Sequence, residues 1–167
     1  MKYILLLIFL LSTGFLFYEG LKTDPSLVPS NLISKKVPIF ELKKLNNYEL
    51  LTPSDLQNQE QLKIVNFFAS WCPPCKVEHP QLMELANNYK IYGIAKKDKG
   101  ENVNKWLKTN GNPFTKIGLD KDGISSIEWG VYGLPETFLI DKKGSIIYRH
   151  VGPIMLKDLE KIKNILK

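Results

Sequence analysis

Apolar positions fall into two regimes along the chain. From Tyr3 to Tyr18 they are continuous except for Ser12, Thr13 and Gly14, and no charge follows Lys2 until Glu19. Sixteen residues at ~1.5 Å each give a helix of roughly 24 Å, a little short of the ~30 Å apolar thickness of a bilayer. Tyr3 at one end and Phe17-Tyr18 at the other suit the two membrane interfaces, and Lys2 can extend its amine to the nearer headgroups. Residues 1–18 therefore read as a signal-anchor or as a cleaved signal segment. Ser12 and Gly14 have cleavage spacing but lie inside the apolar run, which favours the anchor. Lys2 as the sole preceding charge favours a cytoplasmic N-terminus with the rest of the chain outside. Residues 19–36 hold Pro25 and Pro29 without sustained periodicity and read as a linker.

From Val37 onward the apolar runs are short and periodic. Residues 37–42 read as a short strand. Residues 62–69 are nearly all apolar and β-rich, which predicts a strand buried on both faces. Pro73 and Pro74 suit the first turn of a following helix, where a missing N–H is harmless. Its core stripe would run through Val77, Leu82, Leu85, Ala86 and Tyr89. A buried strand over 91–95, a helix over 101–109, a strand or extended segment over 114–119 and a helix over 123–129 come next. Strands over 137–140 and 145–151 are joined by Asp141-Lys142-Lys143-Gly144, a tight-turn sequence. Met155, Leu156, Leu159, Ile162, Ile165 and Leu166 then have helical spacing. Alternating strands and helices closed by a hairpin and a helix predict one α/β domain over residues 37–167.

Composition adds exclusions. A chain of 167 residues, 44% hydrophobic and 24% charged, can bury one core and is neither collagen-like, disordered nor a multi-span membrane protein. Its net charge of +6 comes from lysines spread along the sequence, so no stripe for nucleic acid is visible. Two cysteines this close together cannot staple a chain of this length as a disulfide scaffold would.

Those two cysteines carry the chemistry. Cys72-Pro73-Pro74-Cys75 lies where the buried strand turns into a helix. A helix N-terminus offers unpaired N–H groups and the positive end of the macrodipole, which favour a thiolate at Cys72. That thiolate would attack a partner's disulfide, and Cys75, one turn further and less exposed, would resolve the mixed disulfide. The two prolines supply no N–H and no cationic side chain lies between the cysteines. The thiolate is then less stabilised than in strongly oxidising pairs, which points to a reductant. A stabilising disulfide across so short a loop would remove little entropy. A metal site would have to recruit His79, with His150 as the remaining histidine. Cys75 is followed by Lys76 and not by the histidine of a haem-attachment motif, and no cofactor is implied.

The segment Asn66-Phe67-Phe68-Ala69-Ser70-Trp71-Cys72-Pro73-Pro74-Cys75, followed by Glu78-His79-Pro80, resembles the thioredoxin superfamily. A second block runs Gly130-Val131-Tyr132-Gly133-Leu134-Pro135-Glu136-Thr137-Phe138-Leu139-Ile140-Asp141, with Gly144, Tyr148-Arg149-His150 and Gly152 after it. It is similar to the membrane-anchored thiol:disulfide interchange proteins of the DsbE (CcmG) family of cytochrome c biogenesis. The resemblance spans the chain from about Val37 onward. It implies a thioredoxin-like fold, a central mixed β-sheet flanked by helices, behind an N-terminal membrane anchor. It implies that Pro135 is a cis-proline facing the cysteine pair, with Trp71 and Leu134 beside it in binding substrate. It also implies acidic groups near the pair, at Glu136 and Glu78, which would raise the Cys72 pKa and handle the resolving proton. Taken without it, Pro135 is a loop proline, Glu136 a strand-start charge and Glu78 a solvated helix residue. Asn66 stands where thioredoxins carry a buried Asp.

The implied activity is reduction of the disulfide of apocytochrome c, directly or through a Cys-pair partner, on the periplasmic or outer face of the cytoplasmic membrane. A membrane electron donor of the DsbD or CcdA type would recharge the pair. A general anchored reductant or oxidant of other extracytoplasmic proteins uses the same chemistry. A non-catalytic metal carrier built on Cys72, Cys75 and His79, or a module that binds unfolded apoprotein, is the alternative from another class.

Overall fold

The strand predicted to be buried on both faces lies in the middle of the sheet. A computed structural model describes residues 2–22, 32–57 and 61–167. In chain order the elements are α1 (Lys2–Leu21), β1 (Lys43–Lys44), α2 (Pro53–Leu56), β2 (Lys63–Phe68), α3 (Pro73–Ala86), β3 (Lys90–Lys96), α4 (Gly100–Asn110), β4 (Lys116–Asp120), α5 (Ile124–Glu128), β5 (Glu136–Ile140), β6 (Ile146–Val151) and α6 (Leu156–Ile165). Among the described residues the strands form one mixed sheet in the order β1-β4-β3-β2-β5-β6. β2, β3 and β4 run parallel, while β5, β6 and β1 pair antiparallel with their neighbours. This is the thioredoxin-like arrangement the resemblance implied.

Alternation along β2 divides the core in two. Ile64 and Phe68 point into one cluster with Leu82 and Leu85 of α3, Trp106 and Leu107 of α4, and Leu159 and Ile162 of α6. Val65 and Phe67 point into the other with Phe40, Leu42, Leu56, Trp129 and Phe138. Asn66, on the α3 side, is the polar residue in the interior of a strand that opens with the buried Lys63. Phe114 stacks on Phe68 with ring centroids 4.7 Å apart and lies against Gly93, where a Cβ would come within 2.9 Å of its ring.

Two expectations need correction. Residues 37–42 are extended but form no strand, because Val37, Phe40 and Leu42 lie across the face of the sheet as part of the second core. The backbone meets the sheet on either side of them, at the Lys36–Ser145 bridge before and at β1 after. On α3 the buried stripe runs through Cys75, Glu78, His79, Leu82 and Leu85 and Val77 faces solvent, while Ala86, half-buried, and Tyr89, beyond the helix end, pack against the first core as expected. The terminal helix forms as expected, as α6: Leu159 and Ile162 are buried and Leu166 follows them at the C-cap, while Met155 at the N-cap and Leu156 in the first turn are exposed.

α1 extends to Leu21, three residues past the predicted span, so Glu19 is helical and pairs with Lys22 at 2.7 Å. Twenty residues at ~1.5 Å reach about 30 Å, the apolar thickness of a bilayer. No α1 residue is buried. Of the predicted linker, residues 23–31 lie outside the described residues.

Candidate active site

β2 ends at Phe68, and a turn closed by the Cys72 N–H on the Ala69 carbonyl (3.2 Å) delivers Cys72 to the N-cap of α3. Pro73 and Pro74 open the helix, so the first N–H able to reach back belongs to Cys75, and it donates to Cys72 Sγ at 3.2 Å. Cys72 and Cys75 are joined by a disulfide with Cα atoms 5.3 Å apart. The expected difference in depth is absent in this oxidised form: the residues are 2% and 1% exposed. The preceding turn is pinned from the side. Ser70 N–H donates to Asp98 Oδ2 at 2.6 Å, and Trp71 Nε1–H donates to the Lys97 carbonyl at 3.2 Å, with most of the Trp71 ring left exposed.

Glu78 lies three residues past Cys75, the spacing that places side chains on one face of a helix. It is buried, and it accepts from Asn66 Nδ2 at Oε1 (2.8 Å) and from the Ile154 N–H at Oε2 (3.0 Å). Loss of hydration disfavours its charge more than these two donors favour it, and its pKa rises from 4.5 to about 7. Asn66 Nδ2 also donates to Thr137 Oγ1 at 3.0 Å, while its Oδ1 has no protein partner. Glu78 is thus no solvated helix residue. It is a titratable group enclosed between α3, β2 and the segment leading into α6.

The Leu134–Pro135 bond is cis, and the Pro135 carbonyl accepts from the Gly152 N–H at 3.0 Å. Since Phe67 pairs with Glu136, continuing the register brings Pro135 beside the C-terminal end of β2, from which the chain runs on to Cys72. Glu136 is buried and its carboxylate is saturated. Oε1 accepts from the N–H groups of Tyr132 (2.7 Å) and Gly133 (3.1 Å), and Oε2 from Arg149 Nε at 2.8 Å and its terminal nitrogen at 2.6 Å. Arg149 also donates to the Gly130 carbonyl at 2.9 Å and lies 5.0 Å from the exposed Tyr132 ring. Leu134 is half-buried and packs against both cores.

His79 is engaged by α4 and the turn after it, packing edge-on to Trp106 with ring centroids 4.5 Å apart. Its Nε2 lies 3.1 and 3.2 Å from the carbonyls of Asn110 and Gly111, which fixes the proton there, and burial lowers its pKa. His150 lies 3.3 Å from the Pro153 carbonyl and 4.0 Å from Asp158.

Two residues of this arrangement escaped the sequence reading. Arg149 had a signal: a hairpin that pairs Phe138 with Arg149 puts Arg149 diagonal to Glu136 on one face, and a buried carboxylate there needs a cation. Asp98 follows β3 in a turn with nothing in its local sequence to connect it to Ser70.

The fold and the closed Cys-x-x-Cys pair at the start of α3 define a thiol:disulfide oxidoreductase of thioredoxin-like architecture. The family profile named Redoxin matches residues 33–166. The thiol:disulfide interchange protein DsbE of Pseudomonas aeruginosa is 45% identical over 149 residues, 88% of this chain and 81% of the relative. A DsbE homolog from Paracoccus denitrificans is 40% identical over 138 residues, 83% of this chain and 76% of the relative. Among solved structures, StoA from Bacillus subtilis superposes with a TM-score of 0.62 at 28% identity, covering 79% of this chain and 99% of that one. A thioredoxin family thiol:disulfide interchange protein from Chlorobium tepidum gives 0.63 at 25% identity, covering 83% and 99%. The chain belongs to the Redoxin family and, within it, to the thiol:disulfide interchange proteins of the DsbE type.

Proposed function

We propose that the chain reduces the disulfide of apocytochrome c, directly or through a Cys-pair partner, so that haem can be attached. The observation that supports this best is the disulfide at the head of α3 with a buried carboxyl of near-neutral pKa one turn behind it. In the reduced enzyme the Cys72 thiolate attacks one sulfur of the partner's disulfide. A mixed disulfide forms and the partner's other sulfur leaves as a thiolate, which takes a proton. Cys75 then gives its proton to Glu78, and its thiolate attacks Cys72. The enzyme disulfide closes and the partner departs with both sulfurs reduced. Two electrons pass to the partner, and a membrane donor of the DsbD or CcdA type returns them.

Glu78 is the proton acceptor in this scheme, because it alone of the two acidic candidates is free of a cation. Glu136 is a positioning residue: with Arg149 it fixes residues 130–136, hence the cis-proline. Trp71, Leu134 and Pro135 form the surface on which the partner's strand lies. α1 is the anchor that holds residues 37–167 outside the cytoplasmic membrane, and residues between it and the domain are the tether.

Cys75→Ser provides the test. The variant leaves Cys72 with no resolving thiol, so cells making it accumulate a mixed disulfide that runs as a thiol-sensitive adduct and contains a cytochrome c maturation protein or apocytochrome c. An adduct set dominated by other extracytoplasmic proteins supports the general reductant instead. Absence of any adduct, with stoichiometric metal on the wild-type protein, overturns the redox reading.

A further inference from the structure

Lysines dispersed in the sequence are not dispersed on the fold. β2 and β3 begin, the β5–β6 turn lies and α6 ends at the pole of the sheet opposite the cysteines. Lys35, Lys36, Lys90, Lys142, Lys143 and Lys167 are exposed there. The Asp141 carboxylate in their midst is taken up by the N–H groups of Lys143 and Ser145. At the rim, acidic groups already have lysines of their own: Glu84 pairs with Lys163 at 2.6 Å, and Asp55 and Glu49 with Lys116 at 2.7 and 3.6 Å. The excess is smaller at the cysteine end, where Lys43, Lys44, Lys76, Lys97, Lys99 and Lys121 are interspersed with Glu41, Asp98, Glu101, Asp122 and Glu128.

Two further features belong to the basic pole. Lys142 and Lys167 line a cleft of about 270 Å³ with Gln61, Asn88 and Tyr89, all capable of hydrogen bonding to a phosphate. The chain coming from α1 also joins the domain here: Ser34 N–H donates to the Ile146 carbonyl at 2.8 Å and Val37 N–H to the Gly144 carbonyl at 3.0 Å. Ten Cα steps separate Lys22 from Leu32, so the junction lies at most roughly 35 Å from the end of α1. A surface tethered so close to a bilayer meets it at a high effective concentration.

We propose that this pole is a docking surface for the anionic headgroups of the bilayer in which α1 is anchored, with the Lys142–Lys167 cleft taking a headgroup phosphate. It rests on the reading of α1 as an anchor. Attraction of clustered lysines to an acidic leaflet acts within a Debye length and is screened by salt. Docking by this pole directs the end of β2, and with it Cys72, away from the membrane.

The full chain in nanodiscs tests this, with lysine labelling by the uncharged reagent formaldehyde under reducing amine-borane conditions and site-by-site mass spectrometry. In discs containing half phosphatidylglycerol, labelling of Lys35, Lys36, Lys142 and Lys143 is expected to fall at least about five-fold relative to phosphatidylcholine discs, while Lys97, Lys99 and Lys121 do not change. Salt at 0.5 M is expected to restore the labelling. In Lys142→Glu/Lys143→Glu, Lys35 and Lys36 are expected to label equally in both lipids, with disulfide exchange against a small thiol unaltered. A chain that does not co-elute with the discs overturns the anchor and this proposal together. Co-elution with equal labelling in both lipids, or with protection that salt and the double variant leave intact, overturns the docking surface alone. Equal protection by added polyphosphate in phosphatidylcholine discs assigns the pole to a soluble polyanion and overturns it too.

Discussion

Glu78 is placed where water cannot solvate its charge, and two donors do not make good the loss. Its proton is held more tightly in the folded chain, with a pKa of about 7, than in the unfolded one at 4.5. Stability from this group is therefore complete below about pH 4.5 and declines as the pH rises through 7, by roughly 3 kcal/mol in all. Glu78→Gln removes the titration. Urea midpoints at pH 5 and pH 8 should differ for the wild type and coincide for the variant, apart from other groups common to both. The same substitution should slow release of the mixed disulfide by about 10²-fold or more, the scale of general-base catalysis. Stopped-flow measurement of the resolving step checks it, and an unchanged rate would remove Glu78 from the mechanism.

At the scale of elements, β5 and β6 act as one unit because a buried ion pair crosses their hairpin. Arg149→Met leaves the Glu136 carboxylate buried and unpaired, which costs about 3–5 kcal/mol. Adding Glu136→Gln should return part of it, a coupling that denaturant titration of the two single variants and the double variant will resolve. The same hairpin shows what the sequence could and could not convey. Residues 62–69 were legible because a strand buried on both faces has no polar side to confuse its pattern, and the cysteines were legible because their place after that strand is local. The stripe of α3 was misplaced because its buried face carries Glu78 and His79, polar residues that a hydrophobic pattern assigns to solvent. Residues 37–42 have the alternation of a strand yet spend it in packing across a sheet face, a choice made by tertiary contacts. Asn66 with Glu78, and Asp98 with Ser70, are meetings of distant segments that periodicity does not encode.

For the whole molecule, α1 and the residues of the sheet and its helices are expected to be independent in stability. No side chain of α1 is buried, so a chain beginning at Leu32 should unfold with the same midpoint, within about 0.5 kcal/mol, as the full protein in detergent. Circular dichroism melts of the two forms check this, and a large loss would mean that α1 packs on the domain. The six-stranded sheet places the cysteine pair at one pole and the residues through which the N-terminal segment joins it, Ser34 to Val37, at the other.

Both sulfurs of the closed pair are almost inaccessible, at 2% and 1% residue exposure. Thiol–disulfide exchange needs a thiolate to approach a sulfur directly, so shielding acts on the rate and leaves the equilibrium alone. A small ambient thiol is therefore expected to open the closed pair slowly, and a protein whose own strand docks against the site, as proposed, to open it faster. The closed pair is thereby insulated from the surrounding thiol pool on kinetic grounds: access, more than the voltage difference, decides which donor refills it with electrons.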